Sequence, residues 1–425
     1  MEHNTLASIL ATCGGTESCG VWFYLIVTIL KLVLVFAVIL AFVVLSVWIE
    51  RRVAGWIQDR PGPNRAGIPL HLFQRFGSKE KQPCKKLLHF FGVPEDCWIA
   101  KLFRWLRLDR EVPTFGLMQP CLDGAKLFLK QELTPSYVRK AYFIIAPMLV
   151  LGPPLVAAAV IPFASGFSTP YGDVNMCVAN LGIGPLWIFA ISGLSVYGLT
   201  LAGWGSNSKY PFLGGLRATA QLISYEVAMG LSIIPLLMMF GTLNLQNIVQ
   251  YQADNGWTIL PLWGEGLTWE RWFMLVPMLI SFVVFVTCVF AEANRTPFDM
   301  AECETDLVGG YHSEYSSMKF ASFFMGEYAA MVIGSALVVT LFLGGWSIGF
   351  GADAALHAWC DWFAVICQFL MFLIKLVAFI FFFVWVRWTL PRFRWDQVMK
   401  LGWLVFLEVT VANIFLTAAI IYFVN

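Results

Sequence analysis

The 425-residue chain predicts an all-α polytopic membrane protein, with about eight transmembrane helices and an amphipathic interfacial helix in the first cytoplasmic loop. Three observations carry that class. Charged residues make up 13% of the chain, about half the share of an ordinary soluble domain. Hydrophobic residues make up 59% and gather in long runs, and a spanning helix needs about 20 such residues. The polar stretches between the runs hold Trp and Tyr, which suit a membrane interface.

The spans are read at 21–49, 141–163, 183–204, 220–241, 272–291, 320–344, 361–386 and 402–423, within a single transmembrane domain over 1–425. Eight spans put both termini on one side. The loops after the first, third, fifth and seventh spans hold 17, 2, 2 and 4 Lys/Arg, which is 25 of the 28. The other three are Lys31, Arg271 and Lys375. Basic loops stay inside, so these loops face the cytoplasm or mitochondrial matrix and both termini face the periplasmic side. The expected location is a bacterial inner membrane, multi-pass, with a mitochondrial inner membrane left open. The polar N-terminus has no basic region, and its apolar run is too long for a signal peptide.

The first inner loop, 50–140, is a region of its own. It opens with ERRVAGWIQDRPGPNRAG, where two prolines bracket Gly62 in a stiff turn. It closes with FGLMQPCLDGAKLFLKQELTP, whose apolar positions from Met118 to Leu133 have helical spacing, giving the amphipathic helix. Between them lies a basic, aromatic stretch with KEKQPCKKLLHFFG and KLFRWLRLDR. It reads as a membrane-surface helix pair drawn to anionic lipid, or as a face for an accessory subunit.

The ten Cys show no CxxC spacing, so no iron–sulfur or zinc site is expected. Cys13 and Cys19 are read as free thiols, with pairing left open. The chain has no GxGxxG and no flavin or nucleotide motif, so no bound cofactor, metal or redox centre is expected. Nothing points to nucleic acid. No internal repeat is visible, which weighs against an inverted-repeat carrier.

Carboxylates are the functional signal. Glu226 stands near the inner end of the fourth span, Glu327 about two turns into the sixth, and Glu408 in the eighth. An ionised carboxylate inside a bilayer costs several kcal/mol, so such groups face a bundle interior or water and serve proton paths. The bland alternative is a carboxylate held by a neighbour as packing glue. The segment AEANRTPFDMAECETDLVGG at the mouth of the fifth span adds Glu292, Asp299, Glu302, Glu304 and Asp306, with one base, Arg295. If helix continues there, Arg295 can pair with Glu292, and Asp299, Glu302 and Asp306 share a face. Pro297 instead permits a break after Thr296 or a new helix. A solvated loop is the bland reading, yet the interleaved Phe298, Met300, Leu307 and Val308 favour a half-buried acidic funnel.

The motifs ERRVAGWIQDRPGPN, GLMQPCLDGAKLFLKQE, AGWGSNSKYPFLGGLRATAQLISYEV, AEANRTPFDMAECETDLVGGYHSEYSSMKF, MGEYAAM and LPRFRWDQVMKLGW occur in order from Glu50 to Trp403. Together they resemble the H-subunit family of proton-translocating NADH:quinone oxidoreductase (respiratory complex I). The resemblance implies a place at the heel of the membrane arm. The partners would be the peripheral-arm quinone-site subunits, small membrane subunits, antiporter-like subunits and membrane lipid. The substrate would be a quinone, ubiquinone or menaquinone. By motif, the resemblance assigns the quinone chamber to Arg51, Trp56, Asp59, Asp123, Lys126, Arg217, Arg295, Phe298 and Asp299. It assigns the proton path to Glu226, Glu292, Glu302, Glu304, Asp306 and Glu327.

Three features depart from the family pattern. A basic and aromatic insertion occupies 66–114. Asp306 stands where Glu is usual. Trp403 is followed by Leu404 where Lys is familiar, and Glu408 inherits no role. The alternatives are the homologous membrane component of an ion-translocating hydrogenase or formate hydrogenlyase, and an independent secondary transporter.

Overall fold

A computed structural model describes residues 18–63, 116–169, 172–261, 269–302 and 307–424. The insertion at 66–114, Cys13 and the side chain of Cys19 lie outside the described residues. Among the described residues, eight helices are long and apolar enough to cross a membrane, one for each expected span. In chain order the helices are α1 (Ser18–Ile57), α2 (Gln119–Leu129), α3 (Lys140–Ala157), α4 (Gly184–Gly205), α5 (Lys209–Phe240), α6 (Leu245–Asn255), α7 (Trp269–Glu292), α8 (Ser317–Phe342), α9 (Ala352–Trp359), α10 (Asp361–Thr389), α11 (Trp395–Lys400) and α12 (Leu407–Val424). A π-helical stretch, Leu401–Phe406, joins the last two. A small antiparallel hairpin pairs β1 (Phe167–Thr169) with β2 (Gly172–Val174).

The chain divides into two compact units, residues 44–130 and residues 1–43 with 131–425. In the first, α1 ends at Ile57 and the chain turns sharply. The Arg60 N–H donates to Gly55 O at 2.8 Å, and Arg52 donates to Pro61 O at 2.9 Å. Gly55 permits that turn, because a Cβ there would lie 2.9 Å from Arg60 O. The amphipathic helix expected over 118–133 is α2, with Pro120 in its first turn, where a missing N–H does no harm.

The second unit holds seven of the eight spans whole. Its centre is α8, whose most apolar stretch is 78% buried, against 17% for the C-terminal span. Small residues let the helices approach closely. Gly198 of α4 and Gly326 of α8 both face Val150 of α3, with added Cβ atoms 2.6 and 2.8 Å from its methyls. Gly203 of α4 meets the Pro211 carbonyl of α5, with 2.6 Å to an added Cβ.

The fourth span is longer than the sequence reading allowed. Helix α5 begins at Lys209 rather than near 220. Arg217 and Gln221 lower the hydropathy there, but Gln221 is fully buried and hydrogen-bonded, so polarity does not end the helix. Glu226 consequently lies mid-helix, not near an end. Lys375, one of the three bases outside the inner loops, is buried in α10. Its ammonium donates to Leu343 O, Gly345 O and Ser347 O at 2.7, 3.1 and 2.7 Å, just past the end of α8. A cation there satisfies carbonyls that the helix leaves without partners.

Close approach at glycine gives a direct test. Gly203→Ala forces a methyl onto a backbone oxygen and is expected to destabilise the folded protein by about 1–3 kcal/mol. Gly152→Ala in α3 meets nothing within 4 Å and is expected to be neutral or mildly stabilising. Thermal unfolding of the detergent-solubilised protein, followed by tryptophan fluorescence, measures both.

Candidate functional site

Helix α7 stops at Glu292, and residues 293–302 run as irregular chain. The continuous-helix alternative is therefore not realised over 293–302, and Asp299 and Glu302 stand on irregular chain rather than on a helical face. Gln221 shapes this segment. Its amide donates to Ala291 O at 2.9 Å and to Phe298 O at 2.8 Å, so one buried side chain pins both ends of the turn. Asn294 adopts φ 48°, a left-handed conformation that Asn tolerates better than most residues. The Thr296–Pro297 bond is cis.

The segment converges on a buried ion pair. Arg295 Nη2 lies 3.3 Å from Glu327 Oε2, and both side chains are 3% exposed. Arg295 thus reaches across to α8, not back to Glu292 three residues earlier. Its guanidinium sits 4.2 Å from the centre of the Tyr328 ring, which adds a cation–π contact. The Tyr311 hydroxyl donates to Glu327 Oε1 at 2.7 Å. Burial, then the charges of Glu327 and Glu302, hold the Tyr311 hydroxyl well above its ordinary proton affinity, so it is a fixed donor. Tyr311 can be there because Gly310 has φ +67° and packs against Ala301 O, where any Cβ would collide at 1.7 Å.

Two more carboxylates flank this pair. Glu302 Oε1 lies 3.7 Å from His312 Nδ1. Asp299 Oδ2 pairs with Arg392 Nη2 at 3.0 Å, with Asp299 6% exposed. Burial and then the Glu302 charge raise the Asp299 carboxyl to about 6, against the pull of Arg392, Arg387 and Arg295. Phe298 is buried between Tyr225 and Phe393, at ring-centre distances of 5.2 and 5.4 Å.

A second pair of acids lines a separate small cavity. Glu226 and Glu292 face it with Ser192, Ser195 and Cys288, and its volume is about 10 Å³. That is room for about one water. Gly193 makes space for Glu226, whose Oε1 lies 3.0 Å from where a Cβ would stand. Arg217 is half-buried on α5, nine residues before Glu226. Glu408 is exposed on α12. Glu304 and Asp306 lie outside the described residues.

The first unit carries its own polar group. Arg51 Nη1 contacts Asp123 Oδ2 at 2.5 Å, and Gln119 donates to the other oxygen at 3.2 Å. Lys126 stands 3.9 Å from Asp123 and is exposed. Trp56 is 60% exposed, and Asp59 is exposed with φ 52° at the turn. Reading the sequence alone missed Gln221, Tyr311, His312 and Arg392. The double glycine before Tyr311 was the available signal, since it marks a backbone that needs positive φ.

The Asp299 environment predicts a titration. A carboxyl raised to about 6 is about nine-tenths protonated at pH 5 and about one-tenth at pH 7. An infrared pH titration of the solubilised protein should show a carboxyl C=O band lost with a midpoint near pH 6 and absent in Asp299→Asn. Arg392→Gln removes a charge that favours ionisation, so it should move that midpoint upward. A midpoint near the ordinary Asp value, or one that Arg392→Gln leaves in place, would contradict the geometry.

The comparisons with known proteins agree on one family. The NADH dehydrogenase family model matches residues 30–87 and 107–418, and the unmatched 88–106 fall inside the expected insertion. The H subunit (copy 1) of NADH-quinone oxidoreductase from Cytophaga hutchinsonii is 38% identical over 387 residues, covering 91% of this chain and 94% of its own. The H subunit from Rhodospirillum rubrum is 45% identical over 307 residues, covering 72% and 81%. The H subunit (copy 2) from Koribacter versatilis is 38% identical over 408 residues, covering 93% and 97%. With motifs, eight spans and full-length relatives in agreement, the chain belongs to the NADH dehydrogenase family.

Proposed function

We propose that this chain is the H-type membrane component of an NADH-quinone oxidoreductase, where it helps hold the quinone and couples quinone reduction to proton translocation. The observation that carries the reading is the buried Arg295–Glu327–Tyr311 cluster, with Glu302 and Asp299 beside it. Few other needs justify so many carboxylates at the end of a membrane helix.

Reducing a quinone to a quinol takes two electrons and two protons. Electrons would come from a partner subunit, as the family resemblance implies and as a sequence without an iron–sulfur, flavin or nucleotide motif leads one to expect. This chain would supply contacts and protons. Quinone contacts are proposed at Arg51, Trp56, Asp59, Asp123 and Lys126, and at Arg217, Arg295, Phe298 and Asp299. Asp299, raised to about 6, can give up and regain a proton near neutral pH. Negative charge forming on a quinone in a low-dielectric site pulls on nearby titratable groups. Glu302 and Glu327 would feel that pull, and Glu292 and Glu226 would take the proton further through a site with room for one water. Glu304 and Asp306 are proposed for the same path from their motif.

The proposed location is a bacterial inner membrane with both termini on the periplasmic side. The partners are the peripheral-arm quinone-site subunits, the small membrane subunits and the antiporter-like subunits. The hydrogenase-type alternative lacks a quinone, and the carrier alternative would act without partners.

The test uses the assembled complex. Glu292→Gln and Glu302→Ala should each lower quinone-linked NADH turnover by about tenfold or more. NADH oxidation by an artificial acceptor should persist, since that chemistry lies elsewhere. Wild-type quinone reduction and pumping in both variants would sink the proton-path reading, and purification of the chain as a self-sufficient carrier would sink the assignment to the complex.

A further inference from the structure

We propose that His357 is a proton-operated latch. Neutral, it holds α9 and the 343–351 loop closed over a cavity at the far end of the bundle; protonated, it releases them.

The latch lies past the C-terminal end of α8, about 39 Å along that 26-residue helix from the acidic segment. A cavity of about 540 Å³ is found there, lined by Ser165, Asp254, Trp346, Asp353, His357 and Gln368. Helix α9 supplies Asp353 and His357 to its wall and has no buried residue of its own. Apolar packing therefore holds α9 weakly, and polar contacts must hold it instead. Asp353, in its first turn, accepts from Ser347 Oγ at 2.8 Å and from Ile348 N at 3.2 Å. The loop closed in this way is held in a costly shape, because Phe350 has φ 55°, a conformation that bulky residues avoid. Such a loop relaxes once its clamp is gone.

Gln368, 1% exposed, is the clamp. Its Oε1 accepts the Ser165 N–H at 3.1 Å, which settles the orientation of the amide. Its nitrogen therefore faces Asp353 Oδ1 at 3.3 Å and His357 Nε2 at 3.2 Å. Across the ring, His357 Nδ1 lies 3.1 Å from Asp361 Oδ1. An ionised carboxylate only accepts, so Nδ1 carries the proton and Nε2 is left as the acceptor that the amide needs. The Ser165 hydroxyl, 3.1 Å from Nε2, can serve either form of the ring. The hydrogen bonds thus require a neutral imidazole. The charges favour the opposite. Asp361 touches the ring, Asp353 shares its clamp, Asp254 shares the cavity, and the hairpin packed on α10 carries Asp173. The base that reaches this network is Lys375, and its ammonium is turned to three backbone carbonyls. A proton added at Nε2 sets one donor against another at 3.2 Å. Turning the amide over removes that conflict, but Asp353 then loses its amide donor and the Ser165 N–H its acceptor. The closed form binds the neutral ring, so acid favours the open one. On the proposed orientation this end meets the side that receives the protons, and the latch reports their accumulation. That last step alone rests on the proposed function; the latch itself does not.

The experiment follows hydrogen–deuterium exchange of the intact complex in nanodiscs as pH falls from about 8 to about 5, the range in which histidines change charge. Wild type and variants are compared at the same pH, which cancels the intrinsic pH dependence of exchange. At the acid end, wild-type peptides covering 343–360 should exchange about tenfold faster than those of His357→Gln, the effect of about two lost hydrogen bonds. His357→Gln cannot take the charge and should show no rise of its own. Asp361→Asn keeps the imidazole and removes a charge that favours its proton, so there the rise should need more acid. Peptides within 317–342 should stay flat throughout. A wild type without the rise overturns the proposal, and so does a rise shared by His357→Gln. If His357→Gln is loose at every pH, Asp361→Asn decides: a midpoint that it leaves in place means that His357 is only a structural contact, and overturns the proposal too. None of these readouts depends on turnover, so failure here leaves the quinone reading untouched.

Discussion

The Arg295–Glu327 pair is the constraint around which the second unit is arranged. Two opposite charges, each 3% exposed, can stay ionised in such a place only with partners on several sides. Tyr311 supplies a hydrogen bond to the carboxylate and Tyr328 supplies an aromatic face to the guanidinium. Removing one member of a buried pair typically costs about 3–5 kcal/mol, because the other is left uncompensated. The surrounding backbone is fitted to this need. Gly310 and Gly214 let the Tyr311 segment press against Ala301 and α5, and Gly326 seats α8 on Val150. Gln221 then fixes the turn that delivers Arg295.

From this pair outward the carboxylates sit in graded surroundings. Glu327 is tied to a base and a phenol in the interior. Glu302 is partly buried beside His312, and Asp299 meets an arginine that is itself 42% exposed. Glu226 and Glu292 share a small cavity that no arginine lines. Groups in unlike surroundings hold protons with unlike strength, and a proton moves along such a series only when something upsets its balance. Charge created on a bound quinone would be that disturbance.

Much of this was legible in the sequence, for physical reasons. Spans show themselves because a bilayer needs about 20 apolar residues, and every expected span has its helix. The amphipathic helix after the RPGPN turn was equally plain from its spacing. The helix start at Lys209 was hidden, because Arg217 and Gln221 lower the hydropathy although the fold gives Gln221 partners. The acid-rich segment announced a site but not its wiring. Local spacing offered Glu292 as the partner of Arg295, whereas the true partner is 32 residues away in sequence on another helix. Tyr311, Gln221 and Arg392 act only through tertiary contacts, which no periodicity encodes.

The central claim is that the buried cluster responds to the redox state of the quinone. Redox-induced infrared difference spectroscopy on the assembled complex tests it most directly. Carboxyl C=O signals should appear or vanish on quinone reduction in the wild type. Glu302→Gln should remove part of that signal, and Glu327→Gln should shift what remains, since the two charges act on the same tyrosine. A difference spectrum identical in wild type and both variants would show that these carboxylates do not change protonation when the quinone is reduced, and would contradict the account.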